Sequence, residues 1–221
     1  MNKQTAAPKP ATALAPIFDS EAWGLTEQQA RLTTLARDLA AEKFAPRAAD
    51  YDRRAAFPTE NYRDMAEVGL LGICVPEHLG GSGADLKTYM LTAAEIGRSC
   101  GATALTFNMH VSSCLWTGPL LDGLDLPADV RAEHEEKRKL HYDRIVRQGK
   151  IYAQPFSEGG AAAAGFKAFG TTAMKVDGGW RINGKKIFAS LSGHADYYGA
   201  LCTALERPDD KHSRRNTMYL A

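Results

Sequence analysis

The sequence predicts an α+β fold in which an N-terminal all-α helical domain is followed by an incomplete antiparallel, β-barrel-like domain. Apolar residues recur at helical spacing from Thr26 to Trp116, as expected for amphipathic helices packed into one unit. After Gly149 the pattern becomes strand-like, and the helical spacing does not return. We therefore expect a flexible tail at residues 1–20, a helical domain at 21–150 and a partial β domain at 151–221.

The composition is that of an ordinary globular protein without a strong charge. Of the 221 residues, 44% are apolar and 24% are charged, and 27 Lys and Arg face 26 Asp and Glu. A formal charge of +1 gives no field that would attract nucleic acid or an anionic membrane. No apolar run approaches the roughly 18 residues of a membrane span. Four cysteines without C-x-x-C spacing favour a reducing cytoplasm over a disulfide framework.

The helices of the first domain are marked by start signals, namely a capping box, a proline in the first turn and an N-cap carboxylate. Pro46 is expected to bend or end the first helix, because proline removes a backbone donor and clashes with the preceding turn. The four helices are expected to begin at Thr26, Pro58, Asp85 and Thr103.

A charged segment between residues 127 and 147 predicts a further, solvated helix. Its acidic residues come early and its basic residues late, an order that complements the helix dipole. The same segment places Glu133 four residues before Lys137 and Glu135 four residues before Lys139. We expect both to form ion pairs on the helix surface.

Turn signals divide the second domain into strands. Residues 171–176 and 180–182 flank the turn Asp177-Gly178-Gly179, and Asn183-Gly184 is a strong hairpin signal. The last residues, 217–221, have the pattern of a strand that has just begun. Because a lone edge strand leaves backbone groups unpaired, we expect the chain to be incomplete.

Two segments of the second domain suit a flat, polar ring ligand. The first offers the hydroxyl of Ser157, and the second offers Phe188 and Ser190, whose spacing of two puts both on one face of a strand. One aromatic face and two hydroxyls could hold a redox ring, which predicts a flavin. Each segment alone also has an ordinary interpretation, as a turn for the first and as alternating strand residues for the second.

Other residues capable of chemistry have simpler interpretations. Glu158 beside two glycines is more typical of a turn cap than of a catalytic base. His110 lies among apolar neighbours and is expected to be a core histidine. His134 and His141 could share a helix face but lack a third ligand, and the glycine-rich residues 80–83 lack a P-loop lysine. No catalytic residue and no metal site is predicted.

The order of these parts resembles the acyl-CoA dehydrogenase family from about Leu25 to the end of the chain. In the second domain, Ser157-Glu158-Gly159 looks like the family's Thr-Glu-Pro flavin loop. Phe188-Ala189-Ser190, which follows Asn183-Gly184-Lys185-Lys186, looks like its Trp-Ile-Thr flavin segment. In the first domain the resemblance rests on Phe57-Pro58, on residues 69–77 leading to Gly80-Gly81-Ser82-Gly83, on Glu95-Ile96-Gly97-Arg98 and on Thr103-Ala104-Leu105.

The resemblance implies FAD as cofactor and α,β-dehydrogenation of acyl-CoA thioesters, within fatty acid metabolism. In the family a carboxylate removes the α proton while the β hydride passes to flavin N5, and an electron-transfer flavoprotein or another acceptor takes the electrons. The serine hydroxyls would lie near the polar edge and N5 side of the isoalloxazine, and the phenylalanine of the second segment against one of its faces. The implied flavin contacts are Phe156, Ser157, Phe188, Ala189 and Ser190.

The sequence departs from the family pattern at several places. Ser157 and Ser190 replace threonines, residues 161–164 replace the Gly-Ser-Asp that meets acyl-CoA, and Leu191 replaces an asparagine. The C-terminal helical bundle, which in most members supplies the catalytic glutamate and the tetramer interface, has no counterpart before Ala221. We therefore expect no catalytic base in this chain, no turnover by the chain alone, and a homo-oligomer when full length.

Two alternatives stay open at this point. One is a flavin-dependent oxidase or monooxygenase of the same fold that acts on a substrate without CoA, because the alanine-rich residues 161–164 differ from the family. The other is a non-catalytic remnant that binds nothing.

Overall fold

The computed structural model describes residues 15–118, 122–159, 167–207, 210–213 and 217–220. The chain divides into two compact units, the first comprising Met1–Leu70 and Ala84–Leu105 and the second Leu71–Gly83 and Thr106–Ala221. Helices come first in the chain and strands last, so the predicted α+β class is confirmed. The expected domain boundaries near residues 20 and 150 stay a prediction. Most of the expected tail, and the alanine-rich residues 161–164, lie outside the described ranges.

Helices build the first unit. A π-helical turn, Ala40–Phe44, follows the first helix, and the last helix of the series begins in this unit and extends beyond residue 105. Within the described part of the chain, no helix is long and apolar enough to cross a membrane. The helices are α1 Glu27–Leu39, α2 Ala45–Arg54, α3 Thr59–Glu67, α4 Leu86–Ser99 and α5 Gly101–Thr117.

The start signals at Thr26 and Asp85 act as predicted, whereas Pro58 is the N-cap of α3 rather than a first-turn residue, and α5 begins at Gly101 rather than at Thr103. The Gln29 backbone N–H donates to Thr26 Oγ1 at 3.2 Å, and the Thr26 N–H donates to Gln29 Oε1 at 3.1 Å, which completes the capping box. Asp85 accepts the backbone N–H of Thr88 at 2.8 Å. Pro46 does not end the helical path, because it lies in the first turn of α2, where a backbone N–H has no intrahelical partner to lose.

The second unit contains the rest of α5, one long charged helix and the strands. The helix α6 spans Ala128–Val146 and begins after Pro127. The strands are β1 Tyr152–Ala153, β2 Thr172–Val176, β3 Gly179–Asn183, β4 Tyr197–Tyr198, β5 Ala200–Leu205 and β6 Thr217–Leu220.

One of the two ion pairs expected on α6 is present. Lys137 Nζ lies 2.6 Å from Glu133 Oε1, as predicted. Glu135, in contrast, pairs with Arg138 at 2.6 Å rather than with Lys139. Two nitrogens of the Arg138 guanidinium donate to Glu135, Nη2 to Oε1 at 2.6 Å and Nε to Oε2 at 3.1 Å, a fork that a lysine ammonium does not offer.

The described strands form a mixed arrangement. β1 and β4 pair in parallel, and the other four strands form a sheet in the order β3-β2-β5-β6. The β2–β3 and β5–β6 pairs are antiparallel, as expected, whereas β2 and β5 are parallel. The long connection from β3 to β5 permits this, because parallel neighbours need a crossover rather than a tight turn.

The predicted hairpin at Asn183-Gly184 is wrong, whereas the predicted turn at Asp177-Gly178 does join β2 to β3. Asn183 is the last residue of β3, and no strand follows it directly. Gly184 serves close packing instead, because a Cβ at this position would lie 2.5 Å from Thr171 Cα.

His110 confirms the expectation of a core histidine. Its side chain is buried, its Nε2 lies 3.0 Å from the Leu71 carbonyl oxygen, and its Nδ1 accepts the backbone N–H of Tyr152 at 3.1 Å. Because one ring nitrogen donates and the other accepts, the imidazole is neutral. Burial lowers the pKa of His110 to about 4. The ring therefore holds β1 in place only while it is uncharged.

An aromatic stack also fixes β1 and β4. The Tyr152 ring meets His141 edge-on at 4.3 Å and stacks on Tyr197 at 4.9 Å. The Arg144 guanidinium lies over the Tyr197 ring, 4.4 Å from its centroid. Because His141 and Arg144 both belong to α6, these contacts fix the two short strands against that helix.

Gly184→Ala should lower the free energy of unfolding by about 1–3 kcal/mol, because the added methyl overlaps the Thr171 backbone. Urea unfolding followed by circular dichroism measures the change. Gly123→Ala is the matched control, since a Cβ at that exposed position would meet nothing within 4 Å. Equal stabilities of the two variants would contradict the close contact.

Acid should destabilise the protein through His110. Because its folded pKa of about 4 lies below the usual 6.5, the unfolded chain takes up a proton first. Stability is therefore complete above pH 6.5 and falls as the pH drops towards about 4. The full loss for such a shift is about 3 kcal/mol.

Urea unfolding at about pH 7.5 and about pH 5 would reveal this loss. His110→Gln should show a smaller difference between the two pH values, whereas His78→Gln, at an exposed histidine, controls for the substitution itself. If His110→Gln keeps the full pH dependence, the buried imidazole is not its source.

Candidate functional site

The two segments expected to contact a flavin lie side by side in the second unit. The Ile187 backbone N–H donates to the Ser157 carbonyl oxygen at 2.9 Å. Lys186 Nζ donates to the Phe156 carbonyl oxygen at 3.3 Å, across 30 residues of sequence. We call residues 156–158 and 186–190 the paired segments. Their contact brings the two stretches that carry the candidate residues next to each other.

Phe188 presents its ring to solvent and has an unusual backbone conformation. The side chain is 84% exposed, and its φ of 54° lies in the left-handed region. A non-glycine residue pays for this conformation, which is therefore kept only where the surroundings impose it. Such an exposed ring offers a face to a planar ligand.

The strand expected to carry Phe188 and Ser190 is wrong, because both residues lie in a loop that leads into a turn. The Ser190 backbone N–H donates to the Phe188 carbonyl oxygen at 3.0 Å, and the Ile187 N–H is directed to the first segment. The backbone bonds of a sheet ladder are therefore absent from this stretch. Strand alternation does not decide where the two side chains point.

The remaining predicted contacts are half-buried. Ser157, Ala189 and Ser190 are partly accessible, and neither serine hydroxyl forms a hydrogen bond with another described residue. The Phe156 ring meets Tyr219 edge-on, with centroids 6.1 Å apart. Within the described ranges, no protein group competes for the two hydroxyls.

The Glu158 carboxylate binds three groups of the surrounding chain. Its carboxylate accepts the backbone N–H groups of Gly170 at 2.7 Å and Thr171 at 2.9 Å, and it pairs with Lys186 Nζ at 2.8 Å. Burial raises the pKa of the Glu158 carboxyl, but the hydrogen bonds from Lys186, Thr171 and Gly170 outweigh burial and lower the pKa to about 2. A carboxylate stabilised in this way is a poor proton acceptor. The expected cap of its own turn is wrong, because the backbone N–H groups that Glu158 accepts lie 12 and 13 residues further along the chain.

Lys186 is a site residue that the sequence interpretation missed. Besides Glu158 and Phe156, its ammonium donates to the Leu201 carbonyl oxygen at 2.6 Å and lies 4.2 Å from the centroid of the Phe169 ring. The family pattern Asn-Gly-x-Lys places its lysine at Lys186 rather than at the adjacent, exposed Lys185. The pattern does not reveal the partners of that lysine, which the fold brings together.

Gln154 carries unpaired polar atoms next to the first segment. Its side chain is 4% exposed, and neither its amide nitrogen nor its amide oxygen has a hydrogen-bond partner among the described residues. Buried amides are normally paired, so this side chain has capacity for a polar group. Within the described ranges, no cluster of His, Cys, Asp and Glu could hold a metal ion.

The comparisons with known proteins concern the family and the fold. The family description "Acyl-CoA dehydrogenase, N-terminal domain" matches residues 26–121. An acyl-CoA dehydrogenase of Bacillus subtilis (strain 168) is 31% identical over 187 residues, which cover 84% of this chain and 45% of that protein. The chain thus spans less than half the length of this relative.

Solved structures show the same fold. Butyryl-CoA dehydrogenase from Megasphaera elsdenii matches with a TM-score of 0.64 and 26% identity, over 85% of this chain and 45% of that one. Dibenzothiophene monooxygenase (TdsC) from Paenibacillus sp. A11-2 matches with a TM-score of 0.62 and 21% identity, over 83% of this chain and 41% of that one. The latter likeness concerns the fold alone. Sequence and fold together place this chain in the acyl-CoA dehydrogenase family.

Proposed function

We propose that this chain carries flavin-contacting residues of a FAD-dependent acyl-CoA dehydrogenase. The observation that supports this most is the contact between the paired segments, because it brings the stretch that carries Ser157 next to the stretch that carries Phe188 and Ser190. When bound, FAD would supply the two-electron oxidation of the acyl thioester. The protein would orient the ring and adjust its electron affinity through hydrogen bonds.

The residues present fit such a group. Phe188 offers an accessible aromatic face, and the hydroxyls of Ser157 and Ser190 could bond to the polar atoms of the ring. The buried amide of Gln154, which has no hydrogen-bond partner among the described residues, could offer a donor and an acceptor. A mostly apolar surface with a few placed polar groups is what cofactor sites use. Phe156 and Ala189 would complete the contact.

Substrate and partners belong to the same proposal. We infer an acyl-CoA thioester as substrate and an electron-transfer flavoprotein or another acceptor for the electrons, within fatty acid metabolism. A homo-oligomer of the full-length protein and a cytoplasmic location are further inferences. The four cysteines are free and buried, which fits a reducing compartment. Glu158 is excluded as the base, because its carboxylate is already occupied.

The direct test is a titration of the chain with FAD, followed by flavin fluorescence. Ser190→Ala should raise the Kd roughly five-fold, because one hydrogen bond is worth about 1 kcal/mol. Phe188→Ala should raise it further, since it removes the whole stacking face.

Trp180→Ala is the matched control, because Trp180 is a partly exposed aromatic residue on β3 outside the paired segments. It should leave the Kd for FAD unchanged. A wild-type chain that binds no FAD would refute the proposed function and favour a non-catalytic remnant. Equal Kd values for wild type, Phe188→Ala and Ser190→Ala would remove both residues from the site.

A further inference from the structure

Lys186 connects three separate stretches of the second unit. Its ammonium donates to Glu158 Oε1 at 2.8 Å, to the Phe156 carbonyl oxygen at 3.3 Å and to the Leu201 carbonyl oxygen at 2.6 Å. An ammonium group has three N–H donors. Every donor of Lys186 therefore has an oxygen partner, and the partners come from the first segment and from β5.

Glu158 extends this connection to a fourth stretch. Its carboxylate accepts the N–H groups of Gly170 and Thr171, which lead directly into β2. Together the two side chains join the paired segments to β2 and β5, the two central strands of the sheet. Both candidate flavin segments are thus anchored to the same sheet.

The Lys186–Glu158 pair is largely buried, which restricts the arrangements it can adopt. The side chains of Lys186 and Glu158 are only 11% and 10% exposed. Charges removed from water are tolerated only where their partners are well placed, so the pair favours one arrangement over nearby ones. A pair of this kind acts more through the arrangement it selects than through net stability.

The backbone next to Lys186 depends on the same anchor. Ile187 follows it directly and bonds to the Ser157 carbonyl oxygen, and Phe188 comes next with its left-handed backbone. A strained residue persists only while its surroundings hold it. Release of Lys186 would let this stretch relax and move the Phe188 ring.

We propose that Lys186 and Glu158 are positioning residues for the flavin, which set the spacing between the Ser157 side and the Phe188–Ser190 side so that one ring meets both. The inference rests on the proposed function. Neither side chain needs to touch the ligand, because each acts through the paired segments.

Three variants test the inference. Lys186→Met and Glu158→Gln should each raise the Kd for FAD about ten-fold or more, since each breaks charge-assisted hydrogen bonds that hold the segments. The charge-swapped double variant, Lys186→Glu with Glu158→Lys, should not restore binding. In it a carboxylate would face two carbonyl oxygens and an ammonium would face two N–H groups.

The matched control is Lys137→Met, which breaks an exposed ion pair on α6. It should leave both the Kd for FAD and the visible circular dichroism of the bound flavin unchanged. Measurements are made at a temperature where unfolding curves show each variant folded. Variants of the Lys186–Glu158 pair that unfold more easily, yet keep the wild-type Kd and flavin circular dichroism, would overturn the inference.

A second readout needs no flavin. Hydrogen exchange of the peptide covering residues 185–191 should accelerate in Lys186→Met and Glu158→Gln but not in Lys137→Met. If Lys186→Met does not fold, Glu158→Gln decides, because it keeps the side-chain shape and one acceptor oxygen. A wild-type chain without FAD affinity would refute the proposed function, whereas unchanged exchange in Glu158→Gln would refute the role of the pair.

Discussion

The second unit is organised around the Lys186–Glu158 ion pair, where one ammonium and one carboxylate bind each other and satisfy four hydrogen-bonding groups of the surrounding backbone. Segments that are far apart in sequence meet there, next to the central strands β2 and β5. The exposed Phe188 ring and the hydroxyls of Ser157 and Ser190 belong to those segments. In the proposed function a flavin ring would contact both segments at once, so their spacing would decide whether it binds.

Two buried histidines are the first of these groups to be protonated as the pH falls. Burial lowers the pKa values of His110 and His141 to about 4, whereas the Glu158 carboxyl stays ionised to about pH 2. As the pH falls, the histidines are therefore protonated before the Lys186–Glu158 pair is neutralised. Both rings contact Tyr152 of β1, so acid should loosen the strand that leads into the first segment before it breaks the pair itself.

The sequence predicts those features that a few neighbouring residues decide. The capping box at Thr26, the N-cap at Asp85 and the turn at Asp177-Gly178 each depend on groups within four positions, and all three are present. The failures are non-local. Asn183-Gly184 has the pattern of a hairpin, but its glycine is used for packing against a distant backbone, and Lys186 finds oxygen partners 15 to 30 residues away. The motifs of the resemblance include Glu158 and Lys186, yet nothing in them shows that the two side chains bind each other.

The pKa of the Glu158 carboxyl tests the central claim most directly. It can be followed by carbon NMR of the side-chain carboxyl, assigned by comparison with Glu158→Gln. The account predicts that Glu158 stays fully ionised at pH 4.5, where an ordinary glutamate is half protonated, because its pKa is held at about 2. A Glu158 carboxyl that is half titrated at that pH would show that Lys186 and the two backbone N–H groups do not hold it, and would contradict the account.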